Sequence, residues 1–185
     1  MKREISVLNC QILGTERVKE YDLRLTVFSE EGIKRFNAVG VLRPTAKLRG
    51  ALQLFNETEV TLMGGKITSA TVIKNNTAIS RDINRYYLAS SICETLSGLL
   101  KDPDDYTEIY ALAGETLANL ADTDISCFVL FIEFYSELLA LLGFAEKMEL
   151  GEDLGLSQAR EIIRELEQGY KLNLEYEIPN IMRFY

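Results

Sequence analysis

The apolar residues of this chain change their period near Ser80, and that change restricts the fold more than any other feature of the sequence. Ahead of it the pattern is β-type. Ile5 and Val7 with Ile12 and Leu13 past Asn9 predict a long first strand, and Leu23, Leu25 and Val27 beside Arg24, Thr26 and Phe28 predict a second. Glu30, Glu31 and Gly32 make the turn into a third strand over 34–42. A fourth is expected over 59–63 and a fifth over 66–74, joined by a tight hairpin at Gly64 and Gly65. Five short strands in so few residues suit a small barrel, and the OB-fold is one such barrel.

After Ser80 the spacing is helical. Ser80 is expected to cap a first helix carrying Ile83, Tyr86, Tyr87, Ile92 and Leu96 and ending near Leu100. A second starts at Asp105, with Glu108 three residues on as a capping-box partner, and continues through Ile109, Leu112, Leu117 and Leu120. The stretch 127–144 is apolar nearly all round and predicts a central core helix, and a last amphipathic helix is expected over 156–170. The fold class that follows is α+β: a five-stranded OB-fold β-barrel over residues 1–80, then an α-helical domain over 81–185.

Charge divides at the same place. Residues 1–80 carry 12 Lys and Arg against 8 Asp and Glu, whereas 81–185 carry 8 against 20, within a chain of net charge −8. The positive charge gathers between Gly32 and Phe55, where Lys34, Arg35, Arg43, Lys47 and Arg49 stand in a window without Asp or Glu. Charges act over roughly 8–10 Å, so a local patch sets the field near it whatever the overall pI. A polyanion such as a phosphate backbone is the partner this patch predicts. The plainer reading is a solvated barrel face.

Catalytic devices are scarce. The chain has no His, which excludes Ser-His-Asp and Cys-His arrangements and leaves acid-base work to carboxylates, Lys, Tyr or Cys. Cys10, Cys93 and Cys127 are far apart among apolar neighbours, as expected of buried core thiols rather than of a disulfide framework or a zinc site. Asp102, Asp104, Asp105 and Glu108 are interrupted by Pro103 and lack the Gly of a calcium loop, so they read as a helix N-terminus. Gly64-Gly65-Lys66 lacks the spacing of a phosphate-binding loop and reads as a turn. No run approaches the ~18 apolar residues of a membrane span, and a cytoplasmic, nucleoid-associated protein is expected.

Taken in order, four segments resemble the bacterial recombination and repair mediator family RecO: ILGTERVKEYDLRLTVFSEEG at 12–32, RPTAKLRGALQLF at 43–55, YYLASSICETLSGLL at 86–100 and FYSELLALLGFA at 134–145. The second is the most specific, with Arg43, Pro44, Lys47, Leu48, Arg49, Gly50, Gln53 and Phe55 at the signature positions. The resemblance implies binding of single- and double-stranded DNA without sequence preference, annealing of complementary strands, and loading of RecA together with RecR and the C-terminal tail of single-stranded DNA-binding protein. It implies no enzyme. Two departures stand out. Many members carry a cysteine-rich zinc module after the Leu-Leu-Gly helix, whereas this chain continues EKMELGEDLGLSQAR without a cysteine, so no zinc and no cofactor are expected. Members are also commonly more basic where this chain has Val39, Leu42 and Thr45.

On this reading Lys34, Arg35, Arg43, Lys47 and Arg49 are the DNA-binding residues, neutralising phosphates and releasing counterions without reading bases. Phe36 and Tyr21 are expected to pack in the core. The alternative is an OB-fold protein-interaction adaptor with weak or no DNA binding, and the two separate on whether Arg43, Lys47 and Arg49 form one exposed face.

Overall fold

The computed structural model describes residues 5–100, 102–122 and 126–143, with the side chains of Phe128 and Phe131 left out of that description. The expected helix over 156–170 and the final IPNIMRFY segment lie outside the described residues.

Five strands form where period-2 patterning predicts them: β1 (Ile5–Arg17), β2 (Leu23–Ser29), β3 (Gly32–Ala38), β4 (Glu57–Met63) and β5 (Lys66–Lys74). They close into a barrel in the order β1-β2-β3-β5-β4, antiparallel except at the β3–β5 seam, where Asn37 pairs with Lys66 in parallel. Gly64 and Gly65 both adopt positive φ, 58° and 76°, which is the backbone a two-residue hairpin between right-twisted strands requires.

β1 explains why Ile12 and Leu13 are both buried although neighbours on a strand point to opposite faces. Its register against β2 shifts between Ile12 and Gly14. Ile12 fills the barrel with Cys10, Leu25, Val27, Val60, Leu62 and Ile67, while Leu13 belongs to a second core shared with the helices. Val27 and Phe28 divide in the same way: Phe28 leaves the barrel to meet the rings of Tyr106 and Tyr110 at 6.4 and 5.7 Å.

Strand β3 stops at Ala38 rather than continuing to Leu42. Gly40 takes φ 70°, its N–H donates to Asp22 Oδ1 at 2.8 Å, and Leu42 N donates to Tyr21 O at 3.0 Å. These bonds tie the β3–β4 connection to the β1–β2 turn and end the strand. The connection then runs through a 3-10 turn (Lys47–Arg49) and lays Val41 and Leu52 into the barrel core.

Three helices follow: α1 (Ile83–Leu99), α2 (Thr107–Asp122) and α3 (Cys127–Leu141). The cap of α1 is Asp82, whose side chain accepts from Arg85 N at 2.9 Å, because Ser80 is taken up in a preceding 3-10 turn (Thr77–Arg81). At α2, Asp105 Oδ1 accepts from Thr107 N at 3.1 Å and Thr107 Oγ1 at 2.7 Å, an Asx-turn just ahead of the helix in place of the expected Asp105–Glu108 box. Ile83 and Tyr87, expected on the apolar face of α1, are exposed.

Helix α2 docks on the barrel through Gly114. Gln11 lies directly beneath it, buried, and its Nε2 donates to Tyr110 O at 2.8 Å. Tyr110 Oη donates to Glu57 Oε1 at 3.0 Å, and Lys74 Nζ stands 3.4 Å from Glu57 Oε2. A polar seam therefore fixes the helix orientation on β1, β4 and β5.

Candidate nucleic-acid interface

Register decides which cations act together. Thr26 pairs with Arg35 and Arg24 with Asn37, so Arg24 and Arg35 share the outer face of β2–β3, whereas Lys34 pairs with Val27 and points to the other side. Adjacent residues on one strand cannot serve the same surface. Lys34 is also tied up: its Nζ bonds to Glu31 Oε2, one residue outside the acid-free window. That contact, first through the hydrogen bond and then through the ammonium charge, holds the Glu31 carboxyl below its usual range. Lys34 thus has an acidic partner just outside the window, but it is the opposite facing of its side chain, more than this exposed pair, that separates it from Arg35.

Arg43, Lys47 and Arg49 are all exposed on the loop between β3 and β4. The Asp22–Gly40 and Leu42–Tyr21 bonds place Arg43 over the Tyr21 ring, with its Cζ 5.7 Å from the centroid, a cation–π approach. Tyr21 is therefore not the core residue expected; it is 39% exposed on the β1–β2 turn. Phe36 does pack against the barrel core. In the 3-10 turn Leu48 faces that core, and Lys47 and Arg49 flank it toward solvent.

The outcome is a cationic track with two parts. Arg24 and Arg35 sit diagonally across the β2–β3 pair, opposite Asn37 and Thr26, and Arg43, Lys47 and Arg49 occupy the loop that packs Val41, Leu48 and Leu52 on the barrel core. Among the described residues Arg35, Arg43, Lys47 and Arg49 make no ion pair, whereas Arg24 Nη1 is 3.2 Å from Glu16 Oε2. That pair is exposed on both sides and is worth little, so Arg24 remains exchangeable. Sequence reading missed Arg24 because its place depends on the β2–β3 register; its parity with Thr26, opposite to Leu25 and Val27 inside the barrel, was the available signal.

The thiols take no part. Burial, with Glu57 nearby, pushes Cys10 up to about 12, and burial raises Cys93 as well, with a smaller contribution from Glu94. Cys127 is only half-buried. Among the described residues no group of three His, Cys, Asp or Glu is placed to hold a metal ion, and no helix is long and apolar enough to cross a membrane.

The closed five-stranded barrel followed by three helices is an OB-type barrel with a helical extension. Residues 5–76 match the family model "Recombination protein O N terminal" and residues 80–149 match "Recombination protein O C terminal". The DNA repair protein RecO of Desulforudis audaxviator is 30% identical over 149 residues, 78% of this chain and 58% of that protein. The DNA repair protein RecO of Caldanaerobacter subterraneus is 23% identical over 138 residues, 72% of this chain and 56% of that protein. That of Desulforamulus reducens is 28% identical over 123 residues, 64% of this chain and 48% of that protein. The chain belongs to the RecO family. It spans about half the length of the curated relatives it matches.

Proposed function

We propose that this chain acts in DNA repair and homologous recombination as a non-enzymatic mediator that holds DNA strands through their phosphates. The observation that carries this reading is the set of exposed cations Arg35, Arg43, Lys47 and Arg49, without ion partners among the described residues, on an OB-type barrel of the RecO family. Four unpaired cations favour loose electrostatic contact with single- and double-stranded DNA alike, without base readout. Loose contact suits annealing, because each strand must stay free to pair. Work with RecR, with the C-terminal tail of single-stranded DNA-binding protein and in RecA loading extends the same proposal, as does a cytoplasmic, nucleoid-associated location.

An annealing assay tests it. Two complementary labelled oligonucleotides should pair faster with the protein than without it, and a variant with Arg35, Arg43, Lys47 and Arg49 changed to Ala should lose the acceleration while keeping its circular dichroism. An unaltered annealing rate with the wild-type protein contradicts the mediator reading.

One observation favours the adaptor alternative. Lys34, Lys74 and Arg24 are each paired with a carboxylate, which thins the positive surface of a protein already at net charge −8. An adaptor would show no binding to oligonucleotides at low salt and would still bind protein partners.

A further inference from the structure

A groove of about 590 Å³ runs between the outer face of the barrel and α1. Thr26 and Arg35 form its barrel wall; Tyr86, Ser90, Glu94 and Ser97 come from α1. The groove is open because the face of α1 turned toward this part of the barrel carries small residues, Ser90, Ser97 and Gly98, which do not fill the space. A second hollow of about 290 Å³ shares Gly14, Thr15, Thr26 and Arg35 with it and continues to Arg24 and Glu16. Arg35 thus stands where the groove meets the cationic track.

The lining is unlike a phosphate site. Glu94 sets a carboxylate on the α1 side, which disfavours a phosphate there, whereas Ser90, Ser97 and Thr26 supply hydroxyls that both donate and accept hydrogen bonds. Tyr86 offers an aromatic wall held in place by edge contacts with Phe55 and Tyr87 at 5.6 and 6.1 Å. A fixed ring, hydroxyls and a cation at the mouth match a nucleotide with its phosphate outside and its base within.

We propose that this groove takes nucleobases of a single strand whose phosphates lie on Arg35 and Arg24, so that the strand crosses the β2–β3 face and turns inward against α1. The proposal rests on the DNA-binding reading above and adds a second contact surface, from the helical part of the chain. Duplex DNA, with its bases stacked and paired, is excluded from that surface, so the groove confers a preference for single strands on a patch that otherwise has none.

The protein has no Trp, so Thr15→Trp, an exposed position on the rim shared by both hollows, installs a unique fluorophore. Oligothymidylate is expected to quench it, whereas a duplex of equal phosphate content leaves it unchanged. A second variant, Ser90→Phe, narrows the groove and is expected to weaken oligothymidylate binding about ten-fold, with duplex binding unaltered, since each base stacked on an aromatic side chain is worth about that much. Oligothymidylate that binds by anisotropy yet neither quenches Thr15→Trp nor loses affinity in Ser90→Phe overturns the groove proposal and leaves the cationic track standing. Absence of binding to either nucleic acid overturns both. An acidic, apolar peptide that shifts the tryptophan where oligothymidylate does not would assign the groove to a protein partner and overturn the proposal.

Discussion

Substituting Gly114 by Ala probes the seam that orients the helices on the barrel. A Cβ at this position would lie 2.8 Å from Gln11 Nε2, against ordinary contacts of 3.7 and 3.8 Å to Glu57 Oε2 and Lys74 Nζ. The amide end of a glutamine can usually swing away, but Gln11 is 1% exposed and its Nε2 is bonded to Tyr110 O, so displacement leaves a buried donor without a partner. That loss costs about 1–3 kcal/mol. Replacing a helical Gly by Ala returns about 1 kcal/mol of helix propensity. Gly114→Ala is therefore expected to lie between neutral and about 2 kcal/mol destabilising. In a Gln11→Ala background the clash is gone and the same substitution should stabilise by about 1 kcal/mol. Urea unfolding of the four proteins of this cycle, with comparable m-values, gives the coupling directly, expected at about 1–3 kcal/mol. Equal effects of Gly114→Ala in both backgrounds would refute the close approach of α2 to Gln11.

Other consequences are independent of that seam. Asp82→Ala should cost about 1 kcal/mol as loss of the α1 cap, whereas Ser80→Ala should be near neutral, both read from urea midpoints. Phe55→Ala should cost about 3–5 kcal/mol, because its fully buried ring packs edge-on against Tyr86 of α1. In the native protein at mildly alkaline pH a thiol reagent should modify at most one cysteine, Cys127, and all three after denaturation, since Cys10 and Cys93 are buried with raised pKa values. Glu31 should titrate below the usual carboxylate range by NMR and return toward it in Lys34→Gln. The sign follows from that depressed value: the pair's contribution is present above the ordinary pKa of a glutamate and is lost as pH falls through the lower one.

The barrel and the helices were legible in the sequence because apolar spacing reports directly on which face is covered. β1, β2, β4, β5 and their turns fall where alternation and the Gly64-Gly65 pair place them. The end of β3 was not legible, because it is set by Asp22 eighteen residues earlier, through a bond to the Gly40 N–H that no local pattern records. The same holds for the site. Clustering in sequence leaves open whether Arg43, Lys47 and Arg49 are exposed, which they are on the loop between β3 and β4, and it groups Lys34 with Arg35, which strand geometry sends to opposite faces. It passed over Arg24 and set Tyr21 in the core, since both depend on cross-strand register and on a loop folding back over the β1–β2 turn. Asp82 displaced Ser80 as the α1 cap because the 3-10 turn before the helix moves its start by one short segment.

The central claim is that Arg35, Arg43, Lys47 and Arg49 contact phosphates, and the salt dependence of binding tests it most directly. Affinity of the wild-type protein for a labelled single strand should fall linearly on logarithmic axes with salt, by about 0.7 of a unit of slope for each phosphate neutralised. Changing all four residues to Ala should lower affinity at low salt and flatten the slope by about 3, with the fold intact by circular dichroism. A folded quadruple variant that keeps the wild-type slope, or a wild-type protein that does not bind at low salt, would contradict the account.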